Sequence, residues 1–370
     1  MGHAHQKAHE HTPHQNQKHG TTHGHSGESQ NPGVELMNKY LFYPGCSMEG
    51  SARAYYESIK AIQGPLAMEL EEIDDWNCCG ATEYLSINLI PAYSLIARNL
   101  ALAAKQVNGA NSVMAPCSAC YLNLEKADHY MAERPALGEK VNEALAAGGL
   151  HYDPGSVQIR HLVDVIINDI GLEAVKTKVV RPLTGLRVAP YLGCMVPRPD
   201  YAKRWSDHEH PSELDDLMKA LGAEVIEFPM KTACCGGHMT QIGPETAYEL
   251  IRRLVAEAEE FQADIMVTMC PMCQMNLDAY QGETNRHFGT NYHMPIVFFT
   301  QLMAVAFGID PRQAGFGLEL VSAKDALARI GLKAPQPEKA APPRKKPEGL
   351  PMPKPLPKKY ASGQEVVMEE

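Results

Sequence analysis

One stretch of this sequence occurs twice and decides the fold: residues 117–124 read CSACYLNL, and residues 270–277 read CPMCQMNL. Two further motifs repeat in the same order. Tyr-Pro-Gly-Cys, ending at Cys46, recurs as Tyr-Leu-Gly-Cys, ending at Cys194, and the Cys-Cys-Gly run that starts at Cys78 recurs at Cys234. Each motif recurs about 150 residues further along the chain, so the body of the protein is a duplicated unit and not a solenoid.

All ten cysteines fall into two sets of five. The first set is Cys46, Cys78, Cys79, Cys117 and Cys120, and the second set is Cys194, Cys234, Cys235, Cys270 and Cys273. A C-x-x-C pair by itself is ambiguous between zinc, iron–sulfur and a redox dithiol. Adjacent cysteines project apart, which suits two irons of one larger cluster. Five ligands also exceed the four that structural zinc or an ordinary iron–sulfur cluster takes. The pattern therefore indicates a multi-iron cluster in each half.

Strands and helices alternate around these motifs. The pattern predicts strands at 39–45, 67–73, 112–116, 186–192, 224–228 and 265–269, and helices at 51–63, 86–106, 117–131, 213–221 and 245–262. This alternation predicts an α/β fold of two pseudo-symmetric domains, each a small, mainly parallel sheet with flanking helices. Each cysteine group comes at or just after a predicted strand, and ligands collect at the carboxyl ends of parallel strands. We expect each set to meet at one sheet edge.

Composition divides the chain into four parts. Residues 1–38 form a His-rich leader and residues 333–370 a tail rich in proline and lysine, and neither has enough apolar residues to build a core. The leader reads as disordered or as a weak metal binder, and the tail as solvated or as a strap across a partner. Between them we expect a first domain at 39–183 and a second at 184–332.

Charge and hydropathy exclude several classes. The formal net charge of −10 gives no reason to expect nucleic acid as a partner. The longest apolar run, PIVFFTQLMAVAFG at 295–308, is too short to cross a membrane and reads as a buried strand followed by a core helix. The N-terminus lacks the apolar core of a secretory signal, so we expect a cytoplasmic protein. In that reducing compartment, clustered cysteines are more often metal ligands than structural disulfides.

The motifs YPGCSMEGSAR, DWNCCGATEY, APCSACYLNL, CCGGHM and MCPMCQMNL resemble the B subunit of heterodisulfide reductase, with its two CCG domains. The resemblance implies that each cysteine set holds a noncubane [4Fe–4S] cluster and that a disulfide is split between the two clusters. Met195 stands where the methanogenic enzymes tend to have histidine. The resemblance therefore fits the sulfur-oxidation branch, acting on a disulfide or persulfide that a carrier protein can hold, as well as the methanogenic branch.

The resemblance also implies partners. A ferredoxin-like C subunit would be the direct electron donor, and a flavin-containing A subunit would stand behind it. The chain itself has no ferredoxin cysteine run and no G-x-G-x-x-G after a strand, so we expect no flavin or NAD site in it. His238 is a candidate proton donor to a leaving thiolate. Lys231 and Arg198 flank the second set, where either could neutralise cluster charge, bind an anionic substrate or be solvated at the surface. His161 is predicted to be a core residue.

Two alternatives remain open on the sequence. The chain could instead be the electron-transfer subunit of a quinone-linked dehydrogenase of the succinate or glycolate type, whose cysteine sets pass electrons without touching a sulfur substrate. It could also be a non-enzymatic metal-binding scaffold, with zinc in the cysteines and nickel on the His-rich leader. Iron and acid-labile sulfide content separates the last reading from the other two.

Overall fold

A computed structural model describes residues 38–332, except 82–83, 108–111, 198, 200 and 202–203. Within these residues the chain forms two four-stranded parallel sheets, ordered β2-β1-β3-β4 and β6-β5-β7-β8. The first sheet consists of β1 (Asn38–Phe42), β2 (Met68–Glu72), β3 (Ser112–Ala115) and β4 (Gln158–His161). The second consists of β5 (Arg187–Tyr191), β6 (Glu224–Val225), β7 (Ile265–Thr268) and β8 (Ile296–Phe298). The identical strand order confirms the expected pair of α/β units. The predicted tails lie outside the described residues, apart from Asn38, which the composition places in the leader but which instead begins β1.

Helices flank both sheets. Those of the first half are α1 (Arg53–Gln63), α2 (Tyr84–Ile87), α3 (Leu89–Gln106), α4 (Ser118–Glu133), α5 (Pro135–Ala146), α6 (Leu162–Val165), a π-helical turn at Ile166–Ile170, and α7 (Leu172–Thr177). Those of the second half are α8 (Glu213–Ala220), α9 (Met239–Ile242), α10 (Pro244–Glu260), α11 (Pro271–Ala279), α12 (Gln281–Phe288), α13 (Phe299–Ala306) and α14 (Lys324–Leu327). In this part of the chain no helix combines the length and apolar character needed to cross a bilayer.

The central strands explain where the cysteines lie. β3 and β7 are buried at every position, as expected for inner strands of a parallel sheet covered on both faces. Cys117 follows β3 and begins α4, and Cys270 follows β7 and begins α11, whose first residue is proline. Proline is well suited to the first turn of a helix, because an N–H at that position would have no hydrogen-bond partner within the helix. Both C-x-x-C motifs are therefore carried at strand-to-helix turns on the carboxyl edges of the sheets.

The two halves pack crosswise. Helix α1 of the first half packs against α13 of the second, and α8 of the second packs against α6 of the first. In the first contact the fully buried Tyr55 stacks on Phe298, with ring centroids 4.2 Å apart and planes 3° from parallel. The hydroxyls of Ser58 and Thr300 lie 2.6 Å apart beside them. One apolar cluster runs continuously from the first half into α13, so the halves share a core.

A second contact between the halves contains partly buried charges. Arg204 lies 3.8 Å from the Asp164 carboxylate, and the Trp205 ring meets His161 edge to face. Glu125 on α4 accepts a hydrogen bond from the Tyr121 hydroxyl at 3.3 Å. Burial, with Asp128 and Asp164 nearby, raises the pKa of Glu125 to about 7, although Tyr121 and Arg204 oppose the shift. This carboxyl is therefore poised to change charge near neutral pH.

We predict that Glu125→Gln makes the protein's stability less sensitive to pH. The folded pKa is raised above the unfolded value, so stability from this group is full below pH 4.5 and is lost as the pH rises through about 7. The loss should be roughly 1–3 kcal/mol, after allowance for partial exposure, and the amide should abolish it. Anaerobic urea unfolding between pH 5.5 and 8 measures it. The exposed Glu139 provides a control, Glu139→Gln. Equal pH slopes for wild type and Glu125→Gln would refute this reading.

Candidate metal centres

The first cysteine set is gathered at one end of its sheet. The Sγ atoms of Cys46 and Cys78 lie 3.7 Å apart, and those of Cys79 and Cys120 lie 3.4 Å apart. Cys117 is in hydrogen-bonding contact with Cys120 and completes the set. Cys46 and Cys78 are exposed, whereas the other three cysteines are buried. The first set therefore has one edge open to solvent and one edge facing the interior.

The second set repeats this arrangement with less exposure. The Sγ atoms of Cys235 and Cys273 lie 3.4 Å apart, as in the corresponding pair of the first set. Cys270 contacts Cys273, and both are buried. Cys194 and Cys234, which correspond to the exposed pair of the first set, are only half-exposed. All five line one cavity of about 50 Å³.

The two sets meet at the centre of the molecule. The thiols of Cys117 and Cys270, which hold the same position in the two repeats, are in hydrogen-bonding contact. Hydrogen bonds from Cys120 and then Cys270 lower the pKa of Cys117 well below its usual range. Thiolates are the form that binds metal. Tyr55 lies beside this junction and donates a hydrogen bond to the Pro116 carbonyl at 3.1 Å.

Two contacts that occur in both halves hold the ligand loops. Tyr43 donates to the carbonyl of Asn77, just before the first Cys-Cys pair, and Tyr191 donates to the carbonyl before the second pair, both at 2.7 Å. The Asn123 amide donates to the Cys79 carbonyl at 3.1 Å, and its counterpart, Asn276, donates to the Cys235 carbonyl at 3.3 Å. The repeated Tyr-x-Gly-Cys and Cys-x-x-Cys-x-x-Asn motifs thus fix the loops that carry the cysteines.

The glycine before the first cysteine of each set leaves room for a thiol. Gly45 has φ of +74°, and a Cβ there would lie 2.8 Å from the Cys120 sulfur. Gly193 has the same φ, and a Cβ there would lie 3.1 Å from the Cys273 sulfur. A side chain at either position would therefore be strained by its backbone and would press on a ligand.

We predict that Gly45→Ala selectively damages the first centre. The added methyl group pushes against Cys120, so the first site should lose most of its iron while the second keeps its own. Iron and acid-labile sulfide, measured on anaerobically purified protein, should fall toward half. Gly50→Ala is the control, because a Cβ at Gly50 meets nothing within 4 Å. Unchanged iron content in Gly45→Ala would show that the loop shifts to accommodate the methyl group without displacing Cys120.

The donor set fits a metal cluster with several irons. Two thiolates on one tetrahedral metal at about 2.3 Å lie roughly 3.8 Å apart, and the observed thiol pairs lie at 3.4–3.7 Å. Among the described residues, no three or more His, Cys, Asp or Glu side chains are arranged to hold a single ion. Instead, the thiols lie in neighbouring pairs. The residues that line the second cavity supply five sulfur ligands and no carboxylate. Such soft donors are the ones that iron–sulfur clusters take.

The candidate residues other than cysteine are His238, Lys231, His161 and Arg198. His238 is half-buried and lies just before α9, two residues after Gly236 of the second Cys-Cys-Gly run. Lys231 is buried and pairs with Asp215 at 2.9 Å, so its charge is used inside the protein. His161 is fully buried, as expected of a core residue. Arg198 lies outside the described residues.

Sequence reasoning missed two residues at the junction. Tyr55 contacts the second half through Phe298, and Ser118 lines the cavity of the second set although it belongs to the first. Both act across the contact between halves. No spacing within one half signals such a role, and only the three-dimensional pairing of the repeats identifies them.

Comparison with known proteins supports the duplicated motif. The family model described as a cysteine-rich domain, CCG, matches residues 40–125 and 188–278. A Helicobacter pylori protein of solved structure, described as hypothetical, superposes with a TM-score of 0.61 at 14% identity. The superposition covers 77% of this chain and 52% of that one, so the chain spans about half its length, and the likeness concerns the fold alone.

Three curated relatives match over almost their whole length. The 8-methylmenaquinol:fumarate reductase membrane anchor subunit of Wolinella succinogenes is 32% identical over 288 residues, which is 78% of this chain and 99% of that protein. An Archaeoglobus profundus protein, named as like the B subunit of heterodisulfide reductase, is 30% identical over 299 residues, which is 80% of this chain and 98% of that protein. The B subunit of a ferredoxin/F420H2-dependent CoB-CoM heterodisulfide reductase from Methanosarcina acetivorans is 25% identical, covering 80% and 97%.

Proposed function

Because the chain belongs to the family of the heterodisulfide reductase B subunit, with two cysteine-rich CCG domains, we propose that it is an iron–sulfur oxidoreductase subunit that makes or breaks sulfur–sulfur bonds. The observation that carries this proposal is the contact between Cys117 and Cys270, which brings the two cysteine sets against each other in the interior. A disulfide has two sulfurs to bind and needs two electrons. Two adjoining metal centres meet both requirements within one site.

We assign the ten cysteines as ligands of two noncubane [4Fe–4S] clusters. Cys46, Cys78, Cys79, Cys117 and Cys120 would hold one cluster, and Cys194, Cys234, Cys235, Cys270 and Cys273 the other. The support is the count of five thiols per site, one more than an ordinary cluster takes. When bound, such clusters supply one-electron transfer and iron atoms to which sulfur binds.

The protein's own residues shape the environment of that chemistry. Six of the ten cysteines are buried, and a shared apolar core surrounds their junction, so water and free thiols are kept from it. The Tyr43 and Asn123 contacts, with their counterparts in the second half, hold the ligand loops in place. We assign His238 as the candidate proton donor to a departing thiolate, because it follows the second Cys-Cys-Gly run and is half-buried.

Partners follow from the same family. We propose that the electron donor is a ferredoxin-like C subunit, with a flavin-containing A subunit behind it, and that the substrate is a disulfide or persulfide, which a carrier protein can deliver. Two of the relatives are named for heterodisulfide reductase subunits, which supports assembly into a complex. The exposed thiols of Cys46 and Cys78 make the first set the more accessible of the two.

A second function is favoured by one relative. The Wolinella protein is named for a quinol:fumarate reductase and is 32% identical to this chain. On that reading the cysteine sets pass electrons between a quinol and a dehydrogenase partner. The two functions differ in what the isolated chain does, because only the first gives turnover of a disulfide or persulfide.

The test is a variant without the second Cys-Cys pair, Cys234→Ser with Cys235→Ser. The iron-loaded wild type should reduce a small disulfide over many turnovers with a reduced dye as donor. The variant should keep the first centre's iron and accept electrons from the dye, yet lose turnover by at least about 100-fold, since one centre cannot bind both sulfurs. Undiminished turnover would remove the two-centre proposal, and a wild type inactive on disulfides and persulfides would favour electron transfer. Thr232→Ser, on the same loop, is the matched control.

A further inference from the structure

The cavity of the second cysteine set contains one residue from the other half. Its lining consists of the five cysteines of that set, neighbouring glycines, leucine and methionines of the second half, and Ser118. Ser118 lies between Cys117 and Cys120, the C-x-x-C pair of the first set, and is the first residue of α4. One serine therefore belongs to the ligand loop of one centre and to the wall of the other.

The Ser118 hydroxyl has no hydrogen-bond partner among the residues that the structure describes. The residue is 1% exposed, so its Oγ is also shielded from solvent. A buried hydroxyl without a partner is costly, and nearly all such groups in folded proteins are satisfied. The groups that line the cavity with Ser118 are mostly sulfur and carbon. We therefore expect the acceptor for the Ser118 hydroxyl to be an atom of the group that the second cysteine set binds.

The other half has no equivalent donor. The repeat that aligns Cys117 with Cys270 and Cys120 with Cys273 aligns Ser118 with Pro271. Proline has neither a hydroxyl nor an N–H. Ser118 of the first half can therefore donate a hydrogen bond toward the second centre. Pro271, at the same position of the second half, cannot donate one toward the first centre. Two centres with otherwise matched ligands differ in this respect.

We propose that Ser118 donates a hydrogen bond to a sulfur atom of the cluster held by the second set. This inference rests on the proposed function. A sulfur bound to iron becomes a stronger acceptor when the cluster gains an electron, so the bond favours the reduced form and raises the midpoint potential. Ser118 then acts across the junction and raises the midpoint potential of the second centre above the value that the same ligands would give without this donor.

The experiment is a potentiometric titration of the iron-loaded chain in the absence of substrate, followed by electron paramagnetic resonance. Ser118→Ala should shift one of the two midpoint potentials to a more negative value and leave the other unmoved, with iron content unchanged. A lost hydrogen bond to a charged group should lower the reduction equilibrium constant about tenfold, which is 59 mV for one electron. Ser118→Thr, which keeps the hydroxyl, should restore the wild-type value.

The control is Ser58→Ala, which removes another buried serine hydroxyl, at the α1–α13 contact. It should move neither potential. If Ser118→Ala does not load iron, Ser118→Gly provides the hydroxyl-free protein for the same titration. Unshifted potentials in a fully loaded hydroxyl-free variant overturn the inference, as does a shift that Ser58→Ala reproduces. A wild type without iron and acid-labile sulfide instead defeats the proposed function, so the two failures are distinguishable.

Discussion

Replacing Cys79 with serine should remove about half of the iron and leave the spectrum of the other centre intact. Cys79 is buried, its sulfur lies 3.4 Å from that of Cys120, and the Asn123 amide donates to its carbonyl, so the backbone that carries this ligand is held in place. Serine is a poor ligand for iron, because soft thiolates are the donors that such clusters select. Anaerobic purification with iron and acid-labile sulfide analysis gives the result directly.

Cys235→Ser is the matched variant, because it holds the same position in the second repeat and has the same 3.4 Å neighbour. It should lose the complementary half of the iron, so the two difference spectra should add up to that of the wild type. Loss of all iron from either variant would mean that the centres assemble together. Retention of all iron in both would refute the ligand assignment.

The second large effect concerns the contact between the halves. Tyr55→Ala should destabilise the protein by about 3–5 kcal/mol, the usual cost of emptying a buried aromatic site. Tyr55 is fully buried, stacks on Phe298 and donates to the Pro116 carbonyl. Tyr55→Phe keeps the ring and loses only the hydroxyl, so it should cost about 1 kcal/mol. Urea unfolding of the iron-loaded protein, followed by circular dichroism under anaerobic conditions, measures both changes.

Because Tyr55 lies beside the junction of Cys117 and Cys270, its removal should also broaden the spectra of both centres. A structural change confined to the first half would affect one centre only. A destabilisation below about 1 kcal/mol for Tyr55→Ala would mean that the interface repacks around the missing ring.

Much of this fold could be predicted because the repeated cysteine motifs align the two halves of the chain with each other. The six predicted strands are present, most of them one or two residues shorter at their ends, and the segment 295–308 is the expected strand and core helix. The strand Gln158–His161 was missed. It has only four residues, and the apolar run after it, which includes a π-helical turn, has the pattern of a helix that begins at His161.

The candidate site was predictable only up to its ligands. Cysteine spacing identified two sets of five, and the position of each cysteine group after a predicted strand led us to expect each set at one sheet edge. Lys231 shows the limit, because its position beside the cysteines left open a charge facing the centre or a solvated side chain, whereas it is buried against Asp215. The contact between the sets depends on how α1 and α13 pack, and that packing has no signature in either repeat alone.

The crosswise packing of α1 on α13 and α8 on α6 has a consequence for how the protein unfolds and for which substitutions it can accept. Each repeat supplies part of the other's core, so the chain should melt as one cooperative unit and not as two. Substitutions at Tyr55 or Phe298 are then constrained as a pair, although they belong to different copies of the ancestral unit. The two copies differ at aligned positions such as Ser118 and Pro271, whereas a change to a ring on the shared surface should be tolerated only with a matching change in the other copy.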